Sequence, residues 1–95
     1  MINMKKAVRI IINGTVQGVF FRNFVKESAD KLGLKGFVRN LENGDVEIIA
    51  EGDGTAVEQM MDICKKGPKF AQIRNVITEE RKYSGEYSEF KVLRF

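Results

Sequence analysis

The residues best suited to chemistry lie in the stretch 14–22, which reads GTVQGVFFR. Its last residue, Arg22, carries a permanent positive charge, so its guanidinium group cannot exchange protons near neutral pH. The forked N–H groups of a guanidinium do, however, match the oxygens of a phosphate group. The two glycines before Arg22 allow the backbone to approach a ligand closely. The stretch therefore predicts anion binding rather than proton transfer.

The position of Arg22 strengthens this prediction. Apolar spacing predicts that a helix begins at Phe21, and no acidic residue follows before Glu27. A cation in the first turn opposes the helix dipole, and an external anion would remove the conflict, because the dipole, the first N–H groups and Arg22 would act on one negative charge. Residues 14–19 would then surround the anion with amides. The alternative is an ordinary strand-to-helix turn with Arg22 in solvent.

Asn40 is the second candidate, because it interrupts a predicted strand over residues 36–41, where asparagine is disfavoured. A primary amide can donate a hydrogen bond to an oxyanion and accept one from a water molecule. It could therefore orient an attacking water without changing its own protonation. A residue on the edge or open face of the sheet, bonded to solvent, would explain Asn40 equally well.

The composition excludes several other chemistries. The chain has no histidine, which excludes Ser–His and Cys–His nucleophiles and imidazole metal sites. Its single cysteine, Cys64, shares a helical face with Val57 and Met60, so we interpret it as a buried small hydrophobe rather than a reactive thiol. The acidic residues form no tight constellation for catalysis or metal binding. These residues therefore do not predict a metal site.

Size and charge predict a single globular domain over residues 1–95, with 43% apolar and 31% charged residues. The net charge is +3, and basic and acidic residues are interspersed along the chain without a basic cluster, so the charge does not predict a nucleic-acid partner. The apolar run near the start is interrupted by Arg9, so it predicts neither a signal segment nor a membrane span. Cysteine usage favours the reducing cytoplasm. No feature demands a protein partner, and we expect a monomer.

Hydrophobic periodicity predicts the elements that position these residues. Strands are predicted over residues 8–13, 36–41, 46–51, 71–80 and 90–95, and helices over 21–32 and 55–66. Asn43 and Gly44 predict a two-residue hairpin turn, Thr55 and Glu58 predict a capping box, and imperfect alternation predicts a bulge or edge position for the fourth strand. The order βαββαβ, with a short extra strand, indicates an α+β, ferredoxin-like split βαβ sandwich with two helices on one face of an antiparallel sheet.

The chain resembles the acylphosphatase family in two linked signatures. The first is the stretch 14–22, and the second is the stretch 36–40, GFVRN, followed by Gly44, Val46 and Gly52 at the family spacing. The similarity extends from Val8 to the final strand. Many members of the family carry glycine in place of Phe20 and a second proline in place of Lys69.

The resemblance implies hydrolysis of the carboxyl–phosphate bond of acyl phosphates, which yields a carboxylate and inorganic phosphate. Arg22 would bind the phosphoryl group together with the amides of one loop, and Asn40 would orient the attacking water. The loop consists of Thr15, Val16, Gln17, Gly18, Val19, Phe20 and Phe21. Inorganic phosphate or sulfate would also bind there, without a metal or cofactor. Because an acyl phosphate has a good leaving group, positioning and charge stabilisation can supply most of the acceleration without a histidine.

Two other functions remain open at this point. An RNA-binding module can also have the order βαββαβ, and the stretch 35–38, KGFV, faintly resembles an RNP1 motif. That stretch lies on the second strand rather than the third, and the first strand carries no aromatic residue for stacking. The other possibility is a non-catalytic, regulatory acylphosphatase-like domain of the kind found in larger hydrogenase-maturation proteins. The presence of both Arg22 and Asn40 favours the enzyme.

Overall fold

The computed structural model describes residues 4–15, 19–69 and 71–94. In chain order these residues form β1 (Lys5–Thr15), α1 (Val19–Lys31), β2 (Lys35–Asn40), β3 (Val46–Asp53), α2 (Gly54–Lys66), β4 (Gln72–Arg81) and β5 (Phe90–Val92). The predicted βαββαβ order and the short extra strand are confirmed.

The strands form a mixed sheet in the order β4-β1-β3-β2-β5. The pairs among β4, β1, β3 and β2 are antiparallel, as predicted, whereas β5 pairs parallel to β2 at the edge. The last residues of β4 lie beside the first residues of β1, at the end of the sheet where β2 also begins. The connection over residues 82–89 crosses from β4 to the other edge strand at this same end. For this reason β5 runs in the same direction as β2.

Both helices pack against one face of the sheet, which confirms the predicted ferredoxin-like α+β architecture. The core on this face includes Ile10 and Ile48 from the strands, Val25 from α1 and Met60 from α2, all fully buried. Burying such a side chain contributes about 1.5–3 kcal/mol of stability. Cys64 belongs to the same core, as its helical spacing predicted.

The opposite face of the sheet carries two buried glutamates, Glu47 and Glu51, which are 5% and 4% exposed. The backbone N–H and hydroxyl of Ser84 and the N–H of Gly85 donate hydrogen bonds of 2.8–3.0 Å to the Glu51 carboxylate. These bonds hold the connection between β4 and β5 against this face. The face opposite the helices is therefore partly covered by residues 82–89.

The hairpin between β2 and β3 is confirmed, but the predicted two-residue turn is wrong. The Leu41 N–H donates to the Asp45 carbonyl at 2.7 Å, and the Gly44 N–H donates to the Leu41 carbonyl at 3.0 Å. The loop therefore contains three residues, 42–44. Gly44 has a φ of 95°, and a three-residue hairpin loop commonly ends on a residue with positive φ, for which glycine is favoured.

The predicted capping box at Thr55 and Glu58 is also wrong. The second helix starts at Gly54, its N-cap is Asp53, and the Asp53 side chain makes no capping bond. Lys5 Nζ instead donates to the Asp53 carboxylate at 2.5 Å. A tertiary contact with β1 takes the carboxylate that a local cap would have used.

Candidate active site

The sheet topology places the last residues of β1 and of β2 at the same end of the sheet. β1 and β2 each pair antiparallel with β3, so they run in the same direction and both end there. Val46 of β3 pairs with Ile12 of β1 on one side and with Asn40 of β2 on the other. Two strand spacings separate Ile12 from Asn40, which is about 10 Å. Asn40 therefore lies at the end of the sheet at which β1 also ends.

Arg22 lies in the first turn of α1, where the sequence predicted it. The helix begins at Val19, two residues earlier than predicted, so Val19, Phe20 and Phe21 of the predicted loop form the start of the helix. The first four N–H groups of a helix have no intrahelical partner. The first turn contains no acidic residue, so its positive end is not neutralised from within the helix.

The rest of the predicted loop is only partly described. Thr15 is the last residue of β1, whereas Val16, Gln17 and Gly18 lie outside the described residues. Their predicted contacts with a phosphoryl group stay predictions.

Gly14 has a structural explanation. The register between β1 and β4 shifts after Asn13, which confirms the predicted bulge, and β4 occupies the predicted edge position. A Cβ atom on Gly14 would collide with the carbonyl oxygen of Gln72 in β4. At this position glycine is required because β4 approaches the backbone closely.

Asn40 is the last residue of β2, rather than an interior residue of the strand. Its side-chain oxygen Oδ1 is buried and has no hydrogen-bond partner among the described residues. A buried oxygen without a partner costs about 1–3 kcal/mol, so each one calls for an explanation. A cavity of about 460 Å³ is lined by Arg39, Asn40, Leu41 and Glu42, a volume within the usual range of about 300–1,000 Å³ for small-molecule sites.

Glu47 supports the strands that carry the site, and sequence reasoning missed this role. Its carboxylate accepts hydrogen bonds from Arg9 of β1 at 2.7 Å and from Arg39 of β2 at 2.5 Å. Burial by itself would raise the pKa of this carboxyl, but the two arginines outweigh burial and hold the pKa below its ordinary value. An acid within the apolar part of β3, with an arginine on each of the two flanking strands, is the signal that could have revealed it.

The Cys64 thiol is buried in the core. Burial raises the pKa of the Cys64 thiol to about 12, so very little thiolate forms near neutral pH. Within residues 4–15, 19–69 and 71–94, no group of three or more Cys, Asp or Glu side chains is arranged to hold a metal ion. In the same part of the chain, none of the helices has the length and apolar character needed to cross a membrane.

Comparison with known proteins finds similarity over nearly the whole chain. The model of the acylphosphatase family matches residues 8–92. An acylphosphatase of Methylococcus capsulatus is 42% identical over 89 residues, which cover 94% of this chain and 97% of the relative. The crystal structure of acylphosphatase from Bacillus subtilis superposes with a TM-score of 0.88 at 36% identity, covering 96% of this chain and all of the other.

A larger protein contains the same fold. The crystal structure of HypF from T. kodakarensis matches with a TM-score of 0.78 at 34% identity, over 95% of this chain and 12% of HypF. The family match covers both sequence signatures, and the identities extend over nearly the whole chain. On this evidence, the chain belongs to the acylphosphatase family.

Proposed function

We propose that this protein hydrolyses the carboxyl–phosphate bond of acyl phosphates, with Arg22 and Asn40 as its catalytic residues. Family membership supports the reaction. The placement of Arg22 in an acid-free first helical turn, and of Asn40 at the neighbouring strand end, supports the roles of the two residues.

In this proposal the phosphoryl group binds at the start of α1. Backbone amides of residues 15–21 donate to its oxygens, and the Arg22 guanidinium adds a bidentate, charged contact. Because negative charge is concentrated on the phosphoryl oxygens, these donors stabilise the transition state as well as the bound substrate. The acyl carboxylate is the leaving group.

Asn40 orients the water that attacks phosphorus. The observation that carries this role is the buried Oδ1 without a partner among the described residues, because such an oxygen is ready to accept a hydrogen bond from water. The water oxygen forms the new bond to phosphorus as the bond to the carboxylate oxygen breaks. The proton of the water passes to a phosphate oxygen of the substrate, so no protein base is needed.

The remaining parts of the proposal concern partners and context. The substrate is a small-molecule acyl phosphate, and inorganic phosphate or sulfate binds as a site ligand without a metal or cofactor. We also propose that residues 1–95 act as one domain, as a monomer, in the cytoplasm. The unreactive, buried Cys64 is compatible with a reducing compartment.

The sheet offers little support for RNA binding. In an RNA-binding module of similar topology, the third strand presents stacking aromatic residues on the open face. In this protein β3 has no aromatic residue, and it buries Glu47 and Glu51 on that face.

The decisive experiment measures hydrolysis of chemically prepared benzoyl phosphate by the purified protein, followed by the loss of ultraviolet absorbance. We expect turnover that inorganic phosphate inhibits competitively and that a metal chelator leaves unchanged. A rate equal to that of the uncatalysed reaction would contradict the proposal and favour a non-catalytic domain. A salt-dependent shift of labelled single-stranded RNA at micromolar protein would favour the RNA-binding alternative.

A further inference from the structure

We propose that Asp45 is a positioning residue that holds the start of the phosphate-binding segment in a fixed position relative to Asn40, an inference that rests on the proposed function. The Asp45 carboxylate accepts a hydrogen bond of 2.8 Å from Asn13 Nδ2 and one of 3.1 Å from Asn43 Nδ2. These two donors lie on different segments of the chain. The carboxylate therefore joins the two segments.

One end of this link belongs to the chain that leads to Arg22. Asn13 lies in β1 two residues before Thr15, the last residue of that strand and the first of the proposed phosphate-binding segment. The bond between Asn13 and Asp45 spans 32 residues of sequence and is partly buried. Its geometry is therefore sheltered from solvent more than that of a surface contact.

The other end belongs to the chain that carries Asn40. The backbone carbonyl of Asp45 accepts a 2.7 Å hydrogen bond from Leu41, which directly follows Asn40. The Asp45 N–H donates to Asn43 Oδ1 at 3.0 Å, and this bond closes the hairpin loop on itself. Asp45 is thus rigidly attached to Asn40 through the hairpin.

The sheet itself provides this link only as far as Ile12. The pairing between β1 and β3 ends at Ile12 and Val46, although β1 continues to Thr15. Asn13 and Asp45 each lie one residue beyond the last pair of β1 and β3. The hydrogen bond between their side chains therefore connects the last part of β1 to the hairpin where the backbone of β1 no longer pairs with β3.

The consequence concerns turnover more than binding. The phosphoryl group contacts only the segment 15–21 and Arg22, so its affinity does not depend on where Asn40 lies. The attacking water is held by Asn40, so its distance from phosphorus depends on the link through Asp45. Misplacing a reacting group by about 1 Å can cost on the order of 10²-fold in rate.

The test exchanges the two linked side chains. Asn13→Asp places two carboxylates opposite each other, and we expect kcat for benzoyl phosphate to fall by about tenfold or more while the inhibition constant of inorganic phosphate changes little. Combining Asn13→Asp with Asp45→Asn restores one donor and one carboxylate in the opposite sense. The amide introduced at position 45 can still accept from Asn43, so we expect the double variant to recover most of the lost kcat.

Two further variants serve as controls. Asn13→Ala removes the donor without adding charge, and it tests the link if Asn13→Asp does not fold. Asp30→Asn removes an exposed carboxylate from the pair with Lys26 on α1, and we expect it to leave kcat unchanged. Urea unfolding of every variant separates loss of the folded state from loss of geometry.

The outcomes distinguish this inference from the function on which it rests. An inactive wild-type protein would overturn both. An active wild-type protein would overturn the inference alone under any of three results. These are unchanged kcat in Asn13→Asp and Asn13→Ala, a double variant no better than the single one, or a fall in phosphate affinity as large as the fall in kcat.

Discussion

Glu51 and Asn40 both bury side-chain oxygens at strand positions of the same sheet, but their surroundings differ. The Glu51 carboxylate accepts three hydrogen bonds, from two groups of Ser84 and one of Gly85. The Asn40 Oδ1 accepts none from the described residues. A buried polar group with partners supports the fold, whereas one without partners costs stability and is retained when a ligand uses it. We therefore expect substitution of a buried group without partners to reduce activity, and substitution of a buried group with partners to reduce stability.

Arg22→Lys should have the largest effect on activity. A lysine keeps the positive charge but loses the bidentate fork, so we expect kcat/KM for benzoyl phosphate to fall by about 10²- to 10³-fold with little change in the free energy of unfolding. Steady-state kinetics and urea unfolding measure the two quantities. Arg74→Lys on the exposed face of β4 is the matched control. Near-normal activity in Arg22→Lys would remove Arg22 from the mechanism.

Asn40→Ala should separate activity from stability most clearly. Without the amide the attacking water is no longer held, and we expect kcat to fall by about 10²-fold. Removing a buried oxygen that lacks a partner should leave the free energy of unfolding unchanged or raise it. Inhibition by phosphate should persist. An equal loss of phosphate affinity would reassign Asn40 to phosphate binding, and Asn75→Ala on β4 provides the control at an exposed asparagine.

Glu47→Gln should show the opposite pattern. The substitution removes the charge that pairs with Arg9 and Arg39, both partly exposed. We expect the free energy of unfolding to fall by about 2 kcal/mol, below the value for a fully buried pair. Activity should change little. A large loss of kcat at unchanged stability would contradict the distinction between buried polar groups with partners, which support the fold, and those without partners, which serve activity.

The same carboxylate gives a smaller, pH-dependent effect. The pKa of Glu47 is lowered in the folded protein. Its contribution to the free energy of unfolding is therefore complete above the ordinary glutamate pKa, and it is lost as the pH falls through the lowered pKa of the folded state. We therefore expect the stability difference between wild type and Glu47→Gln to be constant near neutral pH and to shrink below about pH 4. Urea unfolding across this range measures it. A difference that grows in acid would contradict the assigned direction of the pKa shift.

Cys64 should have the smallest effect. It is buried in the core, and burial raises the pKa of its thiol to about 12. We expect iodoacetamide to label the native protein at pH 8 much more slowly than the urea-unfolded protein. Cys64→Ala should leave kcat unchanged. Rapid labelling of the native thiol would show that this part of the core opens to solvent.

Much of the fold was predictable because the signals are local. Alternation in β1 and helical spacing after Phe21 are each read from about a dozen neighbouring residues. Two predictions of local detail failed. At the start of α2 a distant residue intervenes, because Lys5 binds the carboxylate of Asp53. In the hairpin the local backbone bonds close a three-residue loop in spite of its Asn43-Gly44 pair.

The candidate site was predictable in part. The residue types of Arg22 and Asn40, and the two family signatures around them, stand in the sequence itself. The support from Glu47 was not predicted, because it depends on residues 38 and 8 positions away that meet only when three strands align. Gly14 was assigned to ligand contact, whereas the approach of β4 explains it.

The sequence by itself determined which chemistry is excluded, since a histidine-free chain cannot move protons with an imidazole. It also supplied Arg22 and Asn40, the residues that we propose position the phosphoryl group and the attacking water. It also determined the order of strands and helices, because that order follows from local periodicity. Only the tertiary structure decided which buried polar atoms have partners and which segments Asp45 joins. Those features depend on strand register, which brings together residues that are far apart in the chain.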